Sequence, residues 1–392
     1  MELIPAQYPD QKFLQKGPFT TLAALRDFHT RRAPAEWFFK PVSLELELTE
    51  RCNLRCPGCA VIEEVERGLS GFSVDEALAL IGALGELGVY GVGLTGGEVF
   101  LRFADLCAII ERSPVEVFKI LTNGSLFRSF EQAERLLTGL RDAGFATKNR
   151  FLVPRIGYSI GMQTEEGVEL SHLVFFTYAF LKVFGESAHF VINVSTATLE
   201  GVRGCLADLD VAYRRLVGVP YPIKSMLVVN HFGLDYTLRL SDLSRVSERT
   251  STLEDRVRAL PPGYVCTNFK GEHGPVPRVL IRADGTLYPC SCFGHAASPG
   301  SVKTASIRAL LERVNQDEDL KTVVEGGLPA LLAKVQARDP TIPKLEIPVK
   351  AGICKVCKAL REPHRPLYET VSTRAEADAR DAAQVSPGRQ AG

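Results

Sequence analysis

The chain has 392 residues, enough for a large buried core and more than one domain. Lys plus Arg number 46 and Asp plus Glu number 46, so the formal net charge is zero and a general electrostatic pull toward nucleic acid or an anionic membrane is excluded. The start "MELIPAQYPDQKFLQKG" lacks an apolar signal core, and the longest nearly apolar run, "LVFFTYAFLKVF" at 173–184, falls short of the ~20 residues that span a bilayer, so a cytoplasmic protein with no nucleic-acid or membrane partner is expected.

In chain order, strand-like and helical patterns alternate. "SLELELT" (43–49) reads as a strand, "VDEALALIGALGELGV" (74–89) as a helix with an acidic first turn, "YGVGLTG" (90–96) as a strand and "FADLCAIIER" (103–112) as a helix. "VEVFKILTNG" (115–124) is then a strand ending in a turn signal, "FEQAERLLTGLRDAGF" (130–145) a helix, and "RIGYSIG" (155–161) a strand. The alternation continues through helix 169–185, strand 188–196, helix 202–216 and strand 223–230. Six strands separated by helices predict a parallel α/β sheet curled into a partial (βα)6 TIM-like barrel, with functional groups at the strands' C-terminal ends.

The segment "LTERCNLRCPGCAV" (48–61) leaves the first strand with Cys52, Cys56 and Cys59. Three thiols are one short of a closed structural zinc site, and a disulfide leaves one over in a chain with no secretory signal. An iron-sulfur cube with one open corner satisfies both the number and the spacing. Gly96-Gly97-Glu98 ends the second strand, Thr122-Asn123-Gly124 the third, and Ser159, Asn193 and Ser195 sit in the fourth and fifth, all toward one rim. "GVYGVG" (88–93) is no dinucleotide loop, because it leads from helix into strand.

In this order and context the CxxxCxxC and GGE motifs resemble the radical S-adenosylmethionine (SAM) superfamily, over roughly residues 43–230. The resemblance implies that Cys52, Cys56 and Cys59 hold a [4Fe-4S] cluster whose fourth iron takes the amino and carboxylate groups of SAM. One-electron reduction then releases a 5'-deoxyadenosyl radical able to take hydrogen from a C–H bond. Glu98 matches the residue that receives the methionine ammonium, with Gly96 and Gly97 letting the backbone approach the ligand. Asn123, Ser159, Asn193 and Ser195 match positions that hold the ribose and carboxylate, though strand-end Asn and Ser also serve as plain turn and cap residues. The sequence departs from the family at Gly58, where an aromatic residue is usual.

The second half of the chain carries Cys266, Cys290 and Cys292, then Cys354 and Cys357. "VLIRADGTLYPC" reads as a hairpin turning at Asp284-Gly285. A cysteine, a hairpin with G-x4-C and a later C-x2-C resemble the family's SPASM or shortened twitch extension. That implies one auxiliary [4Fe-4S] cluster on Cys266, Cys290, Cys354 and Cys357, in a small cysteine-rich α+β extension. Zinc on the same four thiolates is the alternative. Cys292 is a further candidate as ligand, inert neighbour or catalytic hydrogen donor. Cys107 and Cys205 read as buried structural thiols, and His231 and His295 as ordinary loop or surface histidines.

These readings divide the chain into an extension at 1–42, a radical SAM core at 43–235, an auxiliary-cluster domain at 236–369 and a disordered tail at 370–392. The expected function is abstraction of hydrogen from a short peptide or small natural-product intermediate, served by a flavodoxin- or ferredoxin-type electron donor. The rival is a non-catalytic electron-transfer protein with a vestigial SAM site. Glu98 and the intact triad favour the enzyme, since an electron carrier requires neither an open iron nor an ammonium acceptor.

Overall fold

A computed structural model describes residues 19, 21–56, 71–148, 155–160, 167–185, 189–195, 199–222, 227–232, 250–260, 277–290, 298–348 and 353–361. Helix α1 (Leu22–Thr30) precedes β1 (Ser43–Thr49), α2 (Val74–Glu86), β2 (Gly91–Gly96), α3 (Phe103–Arg112) and β3 (Val117–Thr122). Then come α4 (Phe130–Asp142), β4 (Arg155–Ile160), α5 (Leu170–Phe184), β5 (His189–Ser195), α6 (Leu199–Val217) and β6 (Leu227–Phe232). The C-terminal part adds β7 (Thr250–Thr252), α7 (Leu253–Arg258), β8 (Arg278–Ile281), β9 (Leu287–Tyr288), α8 (Ile307–Asn315), α9 (Glu318–Arg338), β10 (Glu346–Pro348) and α10 (Ile353–Arg361).

The main sheet runs β6-β5-β4-β3-β2-β1-β8-β9, with the first six strands parallel and in chain order. This is the mixed α/β architecture expected from the alternation. Local signals set the helix starts: Ser73 and Glu76 form a reciprocal capping box that opens α2, and Ser129 and Ser306 cap α4 and α8.

Strand β1 shows how one sequence serves two faces. Leu44, Leu46 and Leu48 are fully buried and share one apolar core with Ala77, Ile81 and Leu84 of α2. The alternate positions, Glu45 and Glu47, fall on the opposite face, because side chains alternate along a strand. Glu45 meets Lys119 Nζ and Arg278 Nη1, each at 3.3 Å. Burial pushes its carboxyl up, but Lys119 and Arg278 outweigh that and hold it below the usual value. A β-carbon at Gly93 would lie 2.3 Å from Glu45 Oε2, so the glycine makes room for this carboxylate.

Two long-range connections do not follow from the local pattern. The Asp284-Gly285 hairpin forms as expected, with Gly285 at φ +89°, yet β8 also pairs in parallel with β1 and lengthens the main sheet. The extension before β1 is clasped by α8: Phe39 N donates to Asn315 Oδ1 at 2.8 Å, and Asn315 Nδ2 returns a bond to Phe39 O at 3.1 Å. A second small sheet pairs β7 antiparallel with β10. Beside it α10, which carries Cys354 and Cys357, packs against α7 and α9.

Candidate functional site

Three strand exits meet at one end of the sheet. The chain leaves β1 at Thr49 and enters the segment bearing Cys52 and Cys56, while Gly96, Gly97 and Glu98 leave β2 directly beside it. Gly97 N donates to Thr49 O and Glu98 N to Arg51 O, both at 2.8 Å. A β-carbon at Gly96 would lie 2.1 Å from Thr49 O, and one at Gly97 2.2 Å from Arg51 O. Gly96 also sits at φ +138°. The two glycines are therefore required by the close approach of one loop's backbone to another, a reason within the protein itself that stands beside the approach to a ligand read from the sequence. Arg102 locks the same corner, its Nη1 donating to Leu48 O at 3.0 Å and to Phe72 O at 2.7 Å.

Glu98 is fully buried where these exits converge. Its Oε1 accepts from Phe100 N and from the Thr122 hydroxyl, each at 3.0 Å, and its Oε2 accepts from Asn123 N at 2.6 Å. Burial pushes this carboxyl up to about 7, against the opposing effect of those three donors. A carboxylate so placed gains when a cation arrives, because the cation offsets the desolvation that raises it.

Cys52 Sγ accepts from Leu54 N and from Asn123 Nδ2, each at 3.5 Å. Asn53 and Ser125 complete the arrangement: Asn123 Nδ2 also donates to Asn53 Oδ1 at 3.2 Å, and Asn53 Nδ2 donates to Ser125 Oγ at 2.8 Å. Cys56 is buried with Leu54 and Val168 in a small apolar cluster against which Cys52 packs. Two thiols on one loop, one of them facing two N–H donors in a partly apolar setting, are chemically suited to a thiolate-ligated iron-sulfur cluster. Residues 57–70, and with them Gly58 and the third thiol Cys59, lie outside the described residues.

The structure thus brings Cys52, Cys56, Gly96, Gly97, Glu98 and Asn123 to one rim. Ser159 is in register with Asn193, and Asn193 with Asn230, so one row of polar positions crosses β4, β5 and β6 toward that end; Ser195 pairs with Phe232 two residues further on. Sequence reading missed Asn53, Ser125, Arg102 and Asn230. Asn53 lies between two cysteines in "CNLRC" and Ser125 directly follows the Asn123-Gly124 pair, which are the available signals for both.

Of the second cysteine set, Cys290 is buried just after β9, Cys357 is partly buried on α10, and Cys354 lies in the first turn of that helix. Cys266, Cys292 and His295 fall outside the described residues, and His231 is in β6. Among the described residues no three His, Cys, Asp or Glu side chains stand close enough to hold a metal ion. Burial pushes the Cys107 and Cys205 thiols up to about 11, keeping both protonated at neutral pH.

Residues 46–154 match the family model described as the Radical SAM superfamily. A PqqA peptide cyclase of Rhodopseudomonas palustris is 36% identical over 113 residues, which are 29% of each chain. A GTP 3',8-cyclase of Syntrophomonas wolfei is 35% identical over 117 residues, 28% of this chain and 35% of the other. The chain therefore matches only about a third or less of these relatives' length. Among solved structures, Streptococcus suis SuiB bound to S-adenosylmethionine aligns over 73% of this chain and 68% of its own, at 10% identity and a TM-score of 0.40. Among the described residues no helix is long and apolar enough to cross a membrane.

Proposed function

We propose that this chain, whose residues 46–154 match the Radical SAM superfamily model, is an enzyme that cleaves SAM reductively and takes a hydrogen atom from a C–H bond of its substrate. Cys52, Cys56 and Cys59 are the proposed ligands of a [4Fe-4S] cluster. With SAM on its open iron, that cluster supplies the 5'-deoxyadenosyl radical. Glu98 is the proposed acceptor of the methionine ammonium, with Gly96 and Gly97 setting its position, and Ser159, Asn193 and Ser195 are the proposed contacts for the ribose and carboxylate. The observation that carries this reading is the fully buried Glu98 carboxylate beside the cysteine loop. A buried anion with its carboxyl raised to about 7 is costly to the fold and is offset by binding a cation.

The proposed substrate is a short peptide or a small natural-product intermediate. The matched span is shared by a cyclase named for a peptide and one named for a nucleotide. Substrate choice accordingly lies in the remainder of the chain, in the proposed auxiliary domain at 236–369. There Cys266, Cys290, Cys354 and Cys357 are the proposed ligands of one further [4Fe-4S] cluster, with Cys292 as a further candidate. A flavodoxin- or ferredoxin-type protein is the proposed electron donor.

The test is anaerobic. Protein reconstituted with iron and sulfide and given a strong reductant and SAM should release 5'-deoxyadenosine, and candidate substrates deuterated at defined carbons should deliver deuterium into it. Protein that binds its clusters but never cleaves SAM would favour the electron-carrier alternative.

A further inference from the structure

The orientation of the Asn123 carboxamide is fixed by its surroundings. Its Oδ1 accepts from Ser125 N at 2.9 Å and from Ser125 Oγ at 2.6 Å. A backbone N–H can only donate, so the oxygen must face Ser125 and the NH2 group must face away from it. That places Nδ2 on the side of Cys52 Sγ, at 3.5 Å, and of Asn53 Oδ1, at 3.2 Å. The alternative flip would set an N–H against an N–H at Ser125 and an oxygen against Asn53 Oδ1 and the Cys52 sulfur. Asn123 and Ser125 are both buried, so the arrangement stands in a medium where an N–H···S bond counts for more than in water.

We propose that Asn123 is a positioning residue for the cluster rather than for SAM: its side-chain N–H donates to the Cys52 thiolate, and Ser125 and Asn53 hold the amide in that sense. The inference rests on the reading of Cys52 as a cluster ligand. A donor on a ligating sulfur stabilises the form with more electron density on that sulfur, which is the reduced one, and so raises the reduction potential. Reduction here is the transfer of one electron from a low-potential donor, dithionite in the test, with no proton moved and no bond made or broken at Asn123. The same residue also reaches Glu98 through its backbone N–H, so the turn that tunes the sulfur also fixes the proposed ammonium acceptor.

The experiment is a dithionite titration of the full-length reconstituted protein without SAM, read by the electron paramagnetic resonance signal that disappears in Cys52→Ala. In Asn123→Ala the midpoint should fall. It should fall further in Asn123→Asp, where a carboxylate oxygen replaces the donor, and Ser125→Ala should move it less and in the same direction. Iron content should stay at the wild-type level in Asn123→Ala and Ser125→Ala, which carry the test if Asn123→Asp does not assemble. An unmoved midpoint at full iron content overturns the proposal. So does a many-fold loss of SAM affinity with no shift in the SAM-free midpoint, which would return Asn123 to SAM, and so does loss of the cluster in both alanine variants, which would make the turn a structural clamp. If no wild-type signal depends on Cys52, the cluster assignment itself has failed.

Discussion

The backbone N–H of Asn123 donates to Glu98 Oε2 at 2.6 Å, binding the exit of β3 to the exit of β2. Phe100 N and the Thr122 hydroxyl hold the other oxygen, so the carboxylate has one orientation before any ligand arrives. Preorganisation of this kind lowers the ordering cost of binding.

Glu98→Gln should therefore weaken SAM binding. A charge-assisted contact contributes about 1.5–3 kcal/mol, so the dissociation constant measured by calorimetry on reconstituted protein should rise roughly ten- to a hundredfold. Glutamine keeps the size of the group and an acceptor for Phe100 N and the Thr122 hydroxyl but sets its NH2 against the Asn123 N–H, so iron content and melting temperature are measured beside the constant; Glu98→Ala would leave all three buried donors without their acceptor. An unchanged constant in Glu98→Gln would remove Glu98 from the ammonium role.

Iron counts test both cysteine sets. Protein made without oxygen should hold on the order of eight irons, as two [4Fe-4S] clusters. Replacing Cys52, Cys56 and Cys59 by Ala should leave about half of that and abolish SAM cleavage. Replacing Cys266, Cys290, Cys354 and Cys357 should leave the other half with cleavage retained. Zinc in place of the second half would support the alternative ligand chemistry.

The pH dependence of stability should carry the mark of Glu47. Burial pushes its carboxyl up to about 7, more than the Arg282 guanidinium and the Ala283 N–H pull it down. The folded protein then binds a proton that the unfolded chain has released, so the contribution is fully present below the ordinary carboxylate value and is lost as the pH rises through about 7. Unfolding free energies from urea titrations should fall between pH 5 and 8, by an amount of order 1–3 kcal/mol from Glu47, with Glu98, also raised to about 7, adding to the same slope; Glu47→Gln should make it shallower without removing it. Equal slopes in the two proteins would contradict the assignment.

Gly97→Ala tests the packing of the two loops. The new β-carbon would meet Arg51 O at 2.2 Å and Glu50 O at 2.7 Å, both backbone atoms that have no rotamer to yield with. A loss of about 1–3 kcal/mol is expected from such overpacking. Because the displaced segment leads straight to Cys52, iron retention should drop as well. Wild-type stability and iron content together would show that the loops separate freely.

What the sequence by itself determined was local. The period-two pattern of "SLELELT" and the Ser73 to Glu76 capping signal define elements whose forces act within a few residues, and the six parallel strands follow in chain order. The three cysteines and the GGE motif were legible because each is a contiguous string at a strand exit. Tertiary structure decided the rest. The pairing of β8 with β1 joins residues more than two hundred positions apart, and nothing in "RVLI" names its neighbour. The roles of Asn53 and Ser125 arise only when the exits of β1 and β3 are brought side by side. The glycines of the GGE motif are read from sequence as freedom of the backbone, but the atoms that forbid a side chain there belong to Thr49 and Arg51, which reach them only through the sheet. A contact between distant segments depends on the register of strands, and register is set by burial of whole faces rather than by any single residue.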